Sequence, residues 1–500
     1  MYLFVEKGIR GGMSFIAHRH SKANNKYLKD FDSTQPSKYI LYLDANNLYG
    51  WAMNQKLAVG DYKWENVEQW NKERIMNITD EDERGYIFEV DLEYPKDIHD
   101  KHNLYPLCPE RKRFKTEWLS KYQNEIKSKL KINDDHVDKL ITDLTNKNNY
   151  ILHYKNLQLC IQLGMKLNKI HKCLSYKSEA WLKDYITSNS MLRQKAKADK
   201  DAFKTNIYKI KNNSVFGKQM ENVRNRVDIK LMKDNGLTDC KNEKYLKLIS
   251  QPRYKKRTII NENLVAVHRH KKAIKLDKPI INGMIILDLS KYLMYDFYYN
   301  ILQKRYGDKM KLLMTDTDSL VVEIETEDVY EDMGNMKEYY DFSEYPKELY
   351  EEYEPPKYMF DSDEYIEQRK PNLFFNKMIF NSENQAVVGK FKDEFASKIV
   401  TEFVGLRSKL YSLTIQGENK EKKVCKGCKK CVINKELKFA DFKNTLINKT
   451  KLNKDMNFIK SKLHNVNTVK VNKNVISCFD NKRYILDDGI TSLSFGHYKI

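Results

Sequence analysis

The stretch KLLMTDTDSLVVEI, residues 311–324, places the hardest constraint on what this chain can fold into. Leu312, Leu313 and Met314 lead into it and Leu320, Val321 and Val322 lead out, so two apolar runs of strand length meet at a turn carrying Asp316 and Asp318. Two residues apart on an extended chain, the two carboxylates share one face at about 6.6–6.8 Å along the strand. Unpaired, they repel and raise one another's pKa. A divalent cation that prefers hard oxygen ligands, Mg2+ or Mn2+, resolves the conflict. Taken alone, D-x-D reads more readily as a solvated acidic turn. The apolar flanks argue for the cation, because they hold the tip between buried strands.

Two distant segments supply what such a tip would need. KYILYLDANNLYG (38–50) starts as an apolar strand and ends in a polar turn, with Asp44 at the junction. A two-metal centre takes carboxylates from more than one strand and holds its ions about 3.5–4 Å apart; alone, Asp44 could equally be a polar strand cap. In YKIKNNSVFGK (208–218), Lys209, Asn213, Phe216 and Gly217 follow the spacing i, i+4, i+7, i+8 and share one helix face. Lys209 would offer a point charge to a triphosphate, Phe216 an apolar wall, and Gly217 room for a base pair to approach.

Charge points the same way. The 500 residues carry 89 Lys and Arg against 69 Asp and Glu, a net +20, which suits a polyanionic partner, nucleic acid ahead of an anionic membrane. The 33 Tyr and 21 Phe interleaved with the basic residues suit stacking beside phosphates. No segment approaches the roughly 20 apolar residues of a membrane span, and MYLFVEKGIRGG meets charge too early for a signal peptide. Eight cysteines, scattered apart from one cluster, fit an intracellular setting, nucleus or cytoplasm.

The remaining pattern reads as α+β, a sheet with helices on one side and helical appendages, its strands drawn from distant parts of the chain. YIFEVDLEY (86–94) alternates as a strand, 113–131 as a charged amphipathic helix, and 150–170 as strand, helix, strand. Residues 179–226 read as helical with a basic face, and 257–270 as a strand pair turning at Asn261–Asn263. Ile286, Leu289, Leu293, Phe297 and Ile301 mark a long helix with one apolar stripe. After about Val404 the lysine-rich composition suggests a separate C-terminal subdomain.

These segments resemble the motifs of family B DNA polymerases of the protein-primed branch, in the version carried by Polinton/Maverick-type transposons and related viruses. Asp44-Ala45-Asn46-Asn47-Leu48-Tyr49-Gly50 resembles the first palm motif, D-x-x-S-L-Y-P; Lys209 to Gly217 the fingers motif, K-x-x-x-N-S-x-Y-G; and Thr315 to Ser319 the second palm motif, Y-x-D-T-D-S. Lys409-Leu410-Tyr411 resembles K-x-Y near the thumb, and Gly11-Gly12 the Y-x-G-G segment ahead of the palm. All five occur in family order. Asn47 and Gly50 replace Ser and Pro, Phe216 replaces Tyr, and Met314 stands where the second palm motif has Tyr; no metal ligand is lost.

The resemblance implies a right-hand polymerase with an antiparallel-sheet palm, helical fingers and a mixed thumb, adding dNMP from dNTPs to a primer on template DNA. Asp44 and Asp318, with the Ala45 carbonyl, would hold two Mg2+ ions, Mn2+ being possible, and Asp316 would be ancillary. Tyr49 would stack under the deoxyribose and exclude a 2′-hydroxyl. Lys209 would bind triphosphate, helped by Lys197, with Arg193 next in line. Asn213 and Phe216 would line the nascent base pair. Gly11, Gly12, Gly217, Lys409 and Tyr411 would meet DNA, and a terminal priming protein is an implied partner. The implied divisions are 1–35 as a template-contacting linker, 36–60 as palm, 60–145 as an insertion with palm strand 86–94, 146–226 as palm strand and fingers, 227–280 as a second insertion, 281–403 as palm, and 404–500 as thumb. Only 43 residues precede Asp44 and none resembles the family's exonuclease motifs, so proofreading is expected to be missing. A catalytically inactive DNA-binding fragment of a transposon or viral polymerase is the alternative.

Three weaker signals stand apart. Cys425, Cys428 and Cys431 form C-x-x-C-x-x-C, whose fourth ligand would have to be Cys478 or His464; thiols on a solvated basic loop are the preferred reading. His268 and His270 suit a basic edge strand facing DNA better than a metal pair. The acidic run 327–356 reads as a solvated excursion from the palm.

Overall fold

Apolar residues at successive positions of Lys38–Ala45 leave this strand without a polar face, so it must be covered on both sides. In the computed structural model it lies inside an antiparallel sheet of five strands in the order 14–16, 310–316, 319–325, 38–45, 391–393. The structure describes residues 1–133, 137–233, 243–261, 263–345, 380–396, 398–417, 421–462 and 465–500, and every count below refers to these. The 310–325 hairpin pairs directly with the 38–45 strand, Leu320 opposite Leu43 and Ser319 opposite Asp44. That register brings the acidic tip and Asp44 to the same end of the sheet.

Strand 86–94, expected in the palm, belongs instead to a second antiparallel sheet ordered 57–64, 166–179, 84–93, 147–153. Both its edges are taken by the strands flanking helix Tyr154–Gln162, so none is left for the Asp-bearing sheet. Helix Ile280–Asp296, continued by a π-helical turn to Gln303, packs against helices 2–8, 48–53 and 154–162. Its burial corrects the single-stripe expectation. Every residue from Ile280 to Lys291 is buried because neighbours cover it all round, whereas Leu293 and Ile301 are only partly covered.

The basic helical region is an antiparallel hairpin of Lys183–Ala198 and Ala202–Gln219. Asp201 caps the second helix through the Lys204 N–H at 2.9 Å. Asn212 ties the two together, donating to Ser190 Oγ at 3.3 Å. The amphipathic segment 113–131 is helical only over Lys121–Leu130. Ser120 and Gln123 form a capping box there, and residues 116–118 make a separate 3-10 turn.

The lysine-rich end is stitched into the fold at both ends. Strand Val400–Arg407 pairs with His20–Lys22 and with Leu410–Ile415, and residues after 477 return to helix Lys121–Leu130, where Gln123 donates to the carbonyls of Asp480 and Arg483 at 2.8 and 2.9 Å. Strand 264–270 is central rather than an edge, because Val227–Lys233 adds on its far side; His268 meets Thr258 Oγ1 at 3.1 Å. Within the acidic run, Tyr330 is buried against Tyr27 and Tyr39, which corrects the solvated reading for that part; residues 346–356 lie outside the described residues. Among the described residues no helix is long and apolar enough to cross a membrane.

Candidate active site

The hairpin tip turns on Thr317, whose φ of 66° is left-handed and whose N–H donates to the Met13 carbonyl at 2.7 Å. Gly12 lies beneath it: a Cβ there would stand 2.4 Å from Thr317 Cγ2. On the neighbouring strand, the Ala45 N–H donates to the Asp318 carbonyl at 2.7 Å, fastening the two acidic strand ends together. The chain then turns at Asn46, which donates to Asp341 Oδ2 at 2.7 Å, and at Asn47, left-handed at φ 44°. Helix Leu48–Met53 follows and presents Tyr49.

Asp44 and Asp318 are half-buried, and neither carboxylate has a cationic partner among the described residues. Burial, reinforced by the Asp318 charge, pushes Asp44 up to about 7. Burial and Asp316 raise Asp318 in turn. Lys392, opposite Asp44 in the 391–393 strand, is the opposing charge that acts most strongly on Asp44.

A cavity of about 610 Å³ separates this sheet end from the helical hairpin. Asp44, Ala45, Tyr49 and Asp318 line one side, and Lys209, Asn213 and Phe216 line the other. Tyr49 and Phe216 meet across it with ring centroids 4.8 Å apart. The cavity also takes Arg193, Asn212, Thr317, Lys392 and Glu394. Lys392 arrives on a three-residue strand, 391–393, too short to carry a period, Glu394 in the turn just after it, and Asn212 had no signal beyond its place beside Asn213.

Other expected residues lie elsewhere. Asp316 does not line the cavity; Lys409, itself at φ 59°, holds its carboxylate at 2.5 Å. Lys197 is exposed, paired with Glu344 at 3.0 Å and outside the cavity lining, whereas Arg193 belongs to that lining. The reason is position along the helix: Lys197 lies one turn, about 6 Å, nearer the hairpin loop. Tyr411, expected at the primer, is 3% exposed and its hydroxyl meets that of Tyr42 at 2.9 Å, since Leu410–Leu413 is buried on both faces. Gly217 is exposed and points away from the cavity lining, 100° round the helix from Phe216. Gly11 is exposed, with nothing within 4 Å of an added Cβ, while Gly12 serves as packing space for Thr317.

No group of three or more His, Cys, Asp or Glu side chains among the described residues is arranged to hold a metal ion. At this site the cavity is lined by the carboxylates of Asp44 and Asp318, which are in no ion pair among the described residues, by the Ala45 backbone, and by Glu394, which is paired with Lys392 and Lys422. In the cysteine cluster, Cys425 is buried and donates to the Val475 carbonyl at 3.1 Å, Cys428 is half-buried and Cys431 exposed. Cys478 is buried among Tyr122 and Ile126, and His464 lies outside the described residues.

No curated protein matches this chain. Among solved structures, phi29 DNA polymerase complexed with primer-template DNA, a post-translocation binary complex, is similar at 14% identity and a TM-score of 0.48, over 95% of this chain. This chain spans 62% of that polymerase. The family model for DNA polymerase type B, organellar and viral, matches residues 24–303, more than half of the sequence. The chain belongs to the type B DNA polymerases of the organellar and viral kind.

Proposed function

We propose that this chain is a DNA-templated DNA polymerase that extends a primer 3′-hydroxyl with dNTPs. The five-stranded sheet would be its palm, the 183–219 hairpin its fingers, and the strands from 400 to 477 its thumb. The observation that carries the reading is the juxtaposition of Asp44 and Asp318, on hydrogen-bonded strand ends, with a helix face bearing Lys209, Asn213 and Phe216 across one cavity. Priming by a terminal protein, and an origin in a Polinton-type transposon or related virus, follow from the motif resemblance alone.

In the reaction the 3′-hydroxyl oxygen attacks the α-phosphorus in line. A new P–O bond forms, the bond to the bridging α–β oxygen breaks, pyrophosphate departs, and the hydroxyl proton passes to solvent. Lys209 and Arg193 would hold the triphosphate and neutralise charge on its departing end. Tyr49, backed by Phe216, would set a floor under the sugar and close the space a 2′-hydroxyl needs. Asn213 and Phe216 would border the new base pair. Lys409 would hold Asp316 out of the cavity until the primer terminus offers its own negative charge.

Two facing half-buried carboxylates without a protein cation between them are a fitting donor set for Mg2+ or Mn2+, which bind through one or two carboxylates and leave other positions to water and substrate phosphates. Asp44, Asp318 and the Ala45 carbonyl would be the ligands. Bound there, such ions supply charge stabilisation for the transferring phosphoryl group and a lowered pKa for the attacking hydroxyl.

Primer extension by the purified chain with Mg2+ tests the reading. The Asp318→Asn variant should lose incorporation while still binding primer–template. Incorporation retained by Asp318→Asn refutes the assignment. Binding without extension by the wild-type chain, at any dNTP concentration, selects the inactive DNA-binding fragment.

A further inference from the structure

A second cavity, also of about 610 Å³, lies beside the catalytic hairpin, between the first insertion, the 400–425 strands and the C-terminal return. Lys127, Lys139, Arg407, Lys409, Lys426 and Lys482 line it, with Asp480 the acidic member. Arg407 and Lys426 are exposed, whereas Lys127, Lys139, Lys409 and Lys482 are half-buried. The Lys482 Nζ donates to the Ser14 carbonyl at 2.6 Å, and Lys482 has no ion pair among the described residues. Ser14 is a junction: it stands opposite Asp316 in the five-stranded sheet, and its Oγ accepts from Ser408 Oγ at 2.7 Å. Lys409, the next residue, holds Asp316. Two ammonium groups from the C-terminal part of the chain therefore flank one strand end next to the acidic tip. Lys409 has a carboxylate to balance it; Lys482 has one neutral carbonyl. A half-buried cation so placed is costly unless an anion completes its shell.

We infer that Lys482 is a phosphate-positioning residue, its ammonium binding a backbone phosphate of the primer–template duplex beside Lys409. The ligand follows from the polymerase reading, on which the inference rests. The groove explains why the last residues of the chain fold back across the insertion: Gln123 holds the Asp480 and Arg483 carbonyls, and Lys139 donates to Asn481 Oδ1 at 3.0 Å, so both neighbours of Lys482 are fixed and its side chain is aimed into the groove. Lys482 would act through the position of the DNA, without touching the reacting atoms.

The test is the affinity of a labelled hairpin primer–template for wild type, Lys482→Met and Lys482→Arg between about 50 and 200 mM salt. Lys482→Met should weaken binding about tenfold and lower the slope of log affinity against log salt by about 0.9, the signature of one lost phosphate contact. Lys482→Arg should keep the slope. KM for dNTP should stay unchanged in both. A slope unaltered in Lys482→Met, with only a lower melting temperature, would mean that Lys482 merely ties the C-terminal segment to Ser14, and overturns the inference. Because that tie is lost in the variant, amine acylation of the wild-type chain gives a second measurement. Primer–template should protect Lys482 and leave the exposed Lys96 reactive; equal labelling of Lys482 with and without DNA overturns the inference as well. Neither measurement needs turnover, so the outcome for Asp318→Asn stands separately from this one.

Discussion

Arg193 and Lys197 lie on one helix, four residues apart, and the structure assigns them unequal weight. Arg193 is half-buried and lines the cavity with Lys209, whereas the Lys197 side chain is 72% exposed and pairs with a Glu344 that is itself 41% exposed. A hydrogen bond to a charged group is worth about 1.5–3 kcal/mol, which at about 1.4 kcal/mol per decade is roughly 10–150-fold in nucleotide affinity. An exposed ion pair is worth about 0–1 kcal/mol, so less than roughly fivefold. Arg193→Met should therefore raise KM for dNTP by at least about tenfold, as Lys209→Met should, and Lys197→Met by only a few-fold. Single-nucleotide incorporation on a primed template, with KM and kcat measured separately, distinguishes them. If Lys197→Met raises KM as much as Arg193→Met does, the triphosphate seats one helical turn nearer the hairpin loop than the cavity indicates, and the ranking is wrong.

Tyr49→Ala should reduce discrimination against ribonucleotides by about 10–100-fold, read from competing dNTP and rNTP incorporation; undiminished selectivity removes its role as a gate. Gly12→Ala places a methyl 2.4 Å from Thr317 Cγ2, so the acidic tip must shift. Extension should slow by up to about 100-fold, a loss a displacement of about 1 Å can cause, and Gly12→Ala with Thr317→Gly should recover most of it; a wild-type rate for Gly12→Ala would show that the tip has slack. Asp143 has a 3% exposed side chain, and Lys147 and Lys112, at 2.5 and 2.8 Å, outweigh its burial and hold its pKa down at about 2. A depressed carboxylate stabilises the fold above its unfolded pKa and loses that contribution as pH falls through the folded value, here from about 4 to about 2, an effect of roughly 2 kcal/mol. Urea melts should show wild type losing this stability across that range while Asp143→Asn, already less stable at neutral pH, stays flatter; parallel curves would contradict it.

Much of the site was legible before any tertiary contact was known. The i, i+2 spacing of Asp316 and Asp318, the apolar run ending at Asp44, and the single helix face of Lys209, Asn213 and Phe216 are local patterns, and side-chain direction along a strand or helix is a local property. For the same reason the strand pair within 257–270 and the succession of strand, helix and strand within 150–170 could be read from the chain alone. What covers each edge is not local. Only the tertiary register set Asp44 beside Asp318, across an interval of more than half the chain, and only the added strand 227–233 made 264–270 central. Lys392 reached the cavity on a strand whose three residues hold no period, with Glu394 in the turn after it, and Tyr411 was buried by neighbours on both its sides. Position along the paired helices, which no single-helix pattern contains, chose Arg193 over Lys197. The residue types and their spacing determined which chemistry this chain could carry; packing between segments remote in sequence decided which side chains share one cavity.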